Sequence, residues 1–364
     1  MSRLTRARIN LDALGHNVDL ARSMAPASAL MAVLKANAYG HGLLPVAHEL
    51  AGRVDAYAVS CVEEALPLRQ AGLDHRIVLL EGFFQANEIP VFAAHRFDAV
   101  IHQPWQIEAL EQAELPGPID CWLKVDTGMG RLGFTPEDAP AAAQRLRRCS
   151  QVGVLRWMTH FSDADQVNSS QTQDQLARFG AVIDTGDRAS AANSAATLRW
   201  PSTHQDWVRP GIMLYGSSPF AEPAGHAALA PVMQLEAPLI SVKWLPAGHG
   251  VGYGGRFVCP EAMPVGVVAI GYGDGYPRHA PNGTPVRING STAALIGKVS
   301  MDMLCVDLRA VTQPRVGDRV ILWGDHPKAG AIAERCGTIS YELFCQLTPR
   351  VQRIYRRGPV NGEI

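Results

Sequence analysis

A lysine stands alone at the end of an apolar run in Ala32-Val33-Leu34-Lys35-Ala36-Asn37-Ala38-Tyr39-Gly40-His41-Gly42. The three apolar residues predict a buried strand. The small residues after Lys35, with Tyr39 and two glycines among them, predict a loop. A lysine facing an apolar interior is costly unless its charge is neutralised. A covalent imine with an aldehyde, of the kind pyridoxal phosphate forms with enzyme lysines, neutralises it. For this residue taken by itself, the alternative is a surface lysine just past a strand end.

Other reactive side chains follow other apolar runs: Lys124 with Asp126 and Arg131, then His160, then Asn193 with Ser194, then Arg209. His160 by itself is also compatible with a satisfied core histidine, and Arg209 with an interior salt-bridge partner. Arg209-Pro210-Gly211-Ile212 and Asn193-Ser194-Ala195-Ala196 supply what a phosphate needs. Ser194 offers a hydroxyl, and Gly211 lets backbone N–H groups approach the anion.

The elements that must position these residues are legible from about Met31 to Gly216. Apolar runs Leu30–Leu34, Ala56–Ser60, Ile77–Leu80, Phe97–Ile101, Cys121–Val125, Val154–Met158, Ala189–Ala192 and Val208–Leu214 alternate with helix-like segments such as Val62–Ala71, Trp105–Glu114, Glu137–Arg147 and Gln171–Val182. Strands alternating with helices in this way predict a closed parallel (β/α)8 barrel of the TIM type. The functional residues of such a barrel sit at the C-terminal ends of its strands, where those reactive side chains fall. Asn10 to Met24 reads as a preceding helix. Near Glu222-Pro223-Ala224-Gly225 the texture changes, and short β-prone runs bounded by Asn282-Gly283, Asn289-Gly290 and Val316-Gly317-Asp318 predict a second, mainly β domain. The reading is therefore α/β plus β: a barrel over residues 1–225, whose first few residues can join the β domain, and the β domain over 226–364.

Composition narrows the function. A chain of 364 residues with net charge -1 and no basic stripe argues against a nucleic-acid binder. No apolar run reaches the roughly 18–20 residues of a membrane span, and the basic N-terminus lacks the apolar core of a signal peptide. The seven cysteines are dispersed without a CxxC pair, which argues against structural zinc and a disulfide framework. A cytoplasmic protein without a metal is expected.

Several long motifs in order give the chain a resemblance to the bacterial alanine racemases over nearly its whole length. They are the Lys35 run, Lys124-Val125-Asp126-Thr127-Gly128-Met129-Gly130-Arg131-Leu132-Gly133-Phe134, Trp157-Met158-Thr159-His160-Phe161, Asn193-Ser194-Ala195-Ala196-Thr197 and Val208-Arg209-Pro210-Gly211-Ile212. In the β part they are Val251-Gly252-Tyr253-Gly254, Gly271-Tyr272-Gly273-Asp274-Gly275-Tyr276, Ser300-Met301-Asp302 and Ser340-Tyr341-Glu342. The resemblance implies pyridoxal 5'-phosphate as cofactor and alanine as substrate. It implies that Lys35 carries the cofactor and that Tyr39, Ser194, Gly211, Ile212 and Tyr341 hold its phosphate. By the same resemblance Arg131 touches the phenolic oxygen and the substrate carboxylate. Arg209 faces the pyridine nitrogen and is oriented by His160. Tyr253 is the second base, contributed across a homodimer interface, with Met301 reaching the same neighbouring site and Tyr272 on the access path. Lys124 matches a lysine that is carbamylated in some members. Ser300 stands where many relatives carry cysteine and Lys298 where many carry arginine, the latter near the substrate corridor.

Racemisation needs a proton removed on one face and returned on the other, and Lys35 with Tyr253 supply two such bases. Tyrosine, with an ordinary pKa of about 10, needs nearby positive charge or hydrogen bonds to act as one; the His160–Arg209 pair is the candidate source. A decarboxylase of the same general build is expected to place an acidic residue, not Arg209, at the pyridine nitrogen. A cofactor-carrier barrel is expected to lack the β domain and Tyr253. A racemase for serine or another small amino acid remains compatible with the motifs, as do both D-alanine supply for peptidoglycan and alanine catabolism. An arginine does not readily give up its proton, so Arg209→Glu is expected to increase transamination relative to racemisation. An unchanged transamination rate in that variant would reject this role for Arg209.

Overall fold

The computed structural model describes residues 3–166, 168–221 and 228–358. The 225/226 division, with the Glu222–Gly225 loop read from sequence, lies outside the described residues. Strand β1 (Arg6–Asn10) alternates partly buried and buried residues and leads into a helix over Leu11–Met24. Asn10 ends the strand and caps the helix, its side-chain oxygen accepting from the N–H groups of Asp12 and Ala13 at 3.0 and 3.1 Å.

Eight parallel strands then close into a barrel: β2 (Ala29–Val33), β3 (Ala56–Val59), β4 (Arg76–Leu79), β5 (Phe97–Ile101), β6 (Ile119–Lys124), β7 (Val152–Met158), β8 (Ala189–Ser190) and β9 (Trp207–Val208). The expected eight strands are present, but the last two are shorter than their apolar runs. Pro210 cannot donate to a ladder, and the chain beyond Gly211 winds into a 3-10 turn over Ile212–Tyr215 instead of continuing as strand.

The second sheet is antiparallel except at its edge. Its strands are β10 (Met233–Leu245), β13 (Met263–Val268), β14 (Pro285–Ile288), β15 (Ser291–Ile296), β16 (Leu304–Asp307), β17 (Arg319–Trp323) and β18 (Gln352–Arg356), together with β1. A separate pair, β11 (Gly250–Val251) with β12 (Phe257–Val258), forms a small ribbon. The first half of β10 pairs with β1 and β17, and its second half with β13. A register shift between Leu239 and Ser241 lets one strand serve both neighbours. The β14–β15 hairpin turns on Asn289 and Gly290, with φ of 48° and 79°, the signature of a type I′ turn. Strand β18 is not apparent in the sequence because Gln352-Arg353-Ile354-Tyr355-Arg356 has no apolar alternation. It forms because β1 offers it a parallel edge.

All seven cysteines are free thiols. Among the described residues no helix is long and apolar enough to cross a membrane.

Toward the N-terminal ends of the barrel strands a charge network replaces part of the apolar filling. Arg76 Nη1 reaches Asp98 at 2.5 Å and Asp120 at 2.8 Å, and Arg156 reaches Asp120 at 3.1 Å. Trp122 Nε1 donates to Asp98 at 2.9 Å. Asp98 and Arg156 are buried, so removing the Asp98 carboxylate leaves guanidinium charge under-compensated. Asp98→Ala is expected to cost about 3 kcal/mol in urea unfolding. A loss below about 1 kcal/mol would mean that Asp120 alone balances both arginines.

Candidate active site

Directly after β2 and Leu34 the chain turns the wrong way. Ala36, Asn37, Ala38 and Tyr39 have φ of 53°, 56°, 53° and 49°, a turn of left-handed helix built without glycine. Each such residue costs roughly 1–2 kcal/mol. The loop expected from small residues is therefore a strained, defined turn, and its hydrogen bonds show what holds it. Ala36 N–H donates to Glu64 Oε1 at 2.7 Å, and Ser60 N–H donates to Glu64 Oε2 at 2.9 Å. Leu43 N–H donates to Asn37 Oδ1 at 2.8 Å. From the second sheet, Arg353 Nε donates to the Gly40 carbonyl at 2.8 Å and Tyr355 Oη to the His41 carbonyl at 3.1 Å. Gly40, at φ 74°, packs against the carbonyl of Phe344, where a Cβ would collide. The turn is thus clamped between the barrel and the helix Ser340–Cys345.

The clamp aims Lys35 into a cavity of about 620 Å³ at the C-terminal ends of the strands. Tyr39, Lys124, Arg131, His160, Ser194, Arg209, Gly211, Ile212 and Tyr341 also line it, so residues far apart in sequence meet there with Lys35. At one end Ser194 Oγ accepts from Gly211 N–H at 2.9 Å and Met213 N–H at 3.3 Å. A Cβ on Gly211 would stand 2.7 Å from Tyr39 Oη, so only glycine admits the backbone this close to the phenol. Tyr39 stacks on Tyr215 with ring centroids 4.9 Å apart, and Tyr341 lies 5.8 Å away. Burial pushes the Tyr39 and Tyr341 phenols above their ordinary value. Both stay protonated and can donate to an anion.

On the floor, the Arg209 guanidinium is buried and fixed. It donates to Ser190 Oγ at 2.5 Å, to the Thr159 carbonyl at 2.6 Å and to the Ala191 carbonyl at 3.2 Å, and lies 3.4 Å from His160 Nδ1. Burial lowers its pKa to about 10, which leaves it charged at neutral pH. His160 is held well below its ordinary value by burial and by the cations Lys124, Arg209, Arg131 and Lys35. Its ring is neutral, so the positive charge of the His160–Arg209 pair resides on the arginine. Burial, with Arg209 and Arg131 nearby, also pushes Lys124 well below its ordinary value.

Arg131 is placed by Asp126. The Asp126 carboxylate accepts backbone N–H groups of Gly128, Met129, Gly130 and Arg131 at 2.8–3.1 Å. Burial alone would raise its pKa, but these bonds hold it below the usual carboxylate range.

Tyr253, Tyr272 and Met301 are on the second domain, 71%, 37% and 53% exposed, and none lines this cavity. Tyr272 N–H and Gly273 N–H donate to the carbonyls of Ser300 and Met301 at 3.1 and 2.8 Å, so the loops carrying Tyr272 and Met301 are tied into one surface. Two carboxylates were missed by sequence reasoning: Glu64, which holds the Lys35 turn, and Glu81, whose Oε1 lies 3.6 Å from Lys35 Nζ. Glu81 stands two residues past the end of β4, so the strand-end rule that singled out Lys124 and His160 also applies to it.

Comparison with known proteins places this geometry. The family model "Alanine racemase, N-terminal domain" matches residues 9–219, and "Alanine racemase, C-terminal domain" matches 232–355. The chain is 51% identical over 367 residues to an alanine racemase of Halorhodospira halophila, covering 100% of both chains. It is 50% identical to a catabolic alanine racemase of Pseudomonas aeruginosa, covering 97% of this chain and 99% of that protein. A crystal structure of a biosynthetic alanine racemase from Pseudomonas aeruginosa superposes with a TM-score of 0.94 at 44% identity, covering 98% of this chain and 100% of that one.

The strained turn makes a paired prediction. Ala36→Gly relieves about 1 kcal/mol of left-handed strain and is expected to raise the urea midpoint. Glu64→Ala frees two backbone N–H groups and is expected to cost about 1–3 kcal/mol. A lower midpoint for Ala36→Gly would show that the turn is not strained.

Proposed function

The chain belongs to the alanine racemase family, and from that premise we propose that it interconverts L-alanine and D-alanine with pyridoxal 5'-phosphate as cofactor. The observation that carries the reading is the meeting of Lys35 with buried Arg209 and a donor-rich anion cradle in one cavity.

The residues fit that cofactor. Lys35 supplies an amine for its aldehyde. Tyr39, Ser194, Gly211, Ile212 and Tyr341 would hold its phosphate, the two protonated phenols as donors and Gly211 by leaving room that a Cβ would fill. Arg209 would face the ring nitrogen with its proton retained, oriented by neutral His160. When bound, the cofactor supplies an electron sink that acidifies the α-proton of the substrate.

The chain's own groups do the rest. Arg131 pairs with the substrate carboxylate and orients it. Lys35 Nζ takes or returns the α-proton on one face. Tyr253 of a second copy does so on the other, which supports a homodimer with shared sites: Tyr253 and Met301 stand exposed on the second domain while the cavity of their own chain lacks them. With His160 neutral, Arg209 carries the positive charge of the His160–Arg209 pair that a second copy's Tyr253 would meet. Lys124, pushed well below its ordinary value by burial and two arginines, is drawn toward the neutral amine that adds carbon dioxide with loss of a proton, giving a carbamate beside Arg131. A cytoplasmic enzyme supplying D-alanine for peptidoglycan, breaking down alanine, or both follows from this reading.

Chiral chromatography of L-alanine incubated with protein and cofactor tests it. Drift to a near-equal mixture, absent in Lys35→Ala and fastest for alanine among a panel of amino acids, is expected. Faster racemisation of serine would reject the substrate assignment. Mixing Lys35→Ala and Tyr253→Phe proteins, each inactive alone, is expected to restore up to about one quarter of the activity, because half of the dimers then hold one intact site. No restoration on mixing would reject the shared site.

A further inference from the structure

Glu81 has no role in the reading above, yet its place is defined on every side. It follows β4, where Leu80 N–H donates to the Val59 carbonyl at 2.9 Å and Gly82 N–H to the Leu79 carbonyl at 3.0 Å. Its own carbonyl is bonded to His102 Nε2 at 3.0 Å. The backbone is pinned, so the carboxylate is delivered to the cavity wall. There Oε1 lies 3.6 Å from Lys35 Nζ, while Oε2 is shielded from solvent and has no hydrogen-bond partner. A carboxylate oxygen buried without a donor is unfavourable for folding, and another residue at this wall would avoid it.

The groups around Lys35 leave Glu81 as its counter-charge. Lys124 from β6, Arg131 from the loop beyond it and Arg209 after β9 are cations or amines. His160 and His102 are held neutral, chiefly by burial. Tyr39 keeps its proton, and burial raises the Cys345 thiol. Glu64 is taken up by two backbone N–H groups, and Asp126 by four. Asp165 lines the same cavity but forms no ion pair with Lys35. Among the described residues, Glu81 is the one carboxylate within ion-pair distance of Lys35 Nζ.

We propose that Glu81 is a positioning residue for Lys35: its carboxylate pairs with Nζ against the cavity wall, so that the amine is held in place and a proton taken onto Nζ is kept there until it is returned. In the uptake step the Nζ lone pair forms the N–H bond as the substrate Cα–H bond breaks with its electron pair left on the substrate, and Glu81 stays a carboxylate. On return that bond breaks and the electron pair stays on nitrogen. The proposal rests on Lys35 as the proton carrier. An amine held in an ion pair is less free to attack an electrophile than an unpaired one. Removing the carboxylate must therefore release Nζ and speed its acylation.

The test needs no cofactor. Full-length protein is stripped of bound aldehyde with hydroxylamine. Trace acetylation by acetic anhydride at a fixed pH of about 8 is then read at the Lys35 peptide by mass spectrometry, with exposed Lys243 as internal reference. In Glu81→Gln the Lys35 rate relative to Lys243 is expected to rise roughly three- to tenfold, and in Glu81→Asp to return most of the way to wild type. An unchanged relative rate in a folded Glu81→Gln variant overturns the proposal. Should that variant not fold, Glu81→Leu, which fills similar space without an unpaired buried oxygen, is read in the same way, and an unchanged relative rate overturns the proposal equally. Borohydride trapping of added pyridoxal phosphate on wild-type Lys35 is run alongside. Its failure sinks the cofactor reading and leaves the labelling result to judge Glu81.

Discussion

The active cavity depends on a single unfavourable backbone feature, the left-handed turn after β2. Without it the residues after Lys35 would continue away from the strand end, and Tyr39 would not come back over Gly211. Its strain is offset by bonds from both halves of the molecule. Glu64 holds it from the barrel, and Arg353, Tyr355 and Phe344 from the second domain. The β domain is therefore part of the barrel's active site even where it lends no reactive group.

Electrostatics at the mouth follow from the same packing. Lys35, Lys124, Arg131 and Arg209 converge on one cavity, and most nearby carboxylates are occupied elsewhere: Asp126 by its own loop and Glu64 by the turn. Burial answers by holding His160 neutral and the phenols protonated, and by pushing Lys124 well below its ordinary value. The result is a site rich in donors and positive charge, suited to a ligand with a phosphate and a carboxylate. Arg209 stays charged because its guanidinium is met on several sides by acceptors.

The second domain has a further consequence through β10. One long strand pairs first with β1 and β17 and then with β13, so the sheet that anchors the start of the barrel also carries the loops around Tyr253, Tyr272 and Met301. Tyr253, Tyr272 and Met301 on those loops do not line their own chain's cavity and are exposed.

Much of this protein was determined by the sequence alone. The alternation of runs such as Ile77–Leu80 and Phe97–Ile101 with helical segments specifies the barrel, because parallel strands need crossovers and both faces buried. The barrel in turn specifies that Lys35, Lys124, His160 and Arg209 share one mouth. Of the residues the family motifs named, those of the barrel and Tyr341 line the cavity, whereas Tyr253, Tyr272 and Met301 do not. Other features were decided only by tertiary structure. The left-handed turn is invisible in Ala36-Asn37-Ala38, which carries no glycine signal. It exists because distant groups pair with its backbone. Strand β18 has no strand-like pattern and forms on an edge offered by β1. The neutral state of His160 and the pairing of Glu81 with Lys35 depend on burial and on distances of a few ångström, which residue order along the chain does not contain.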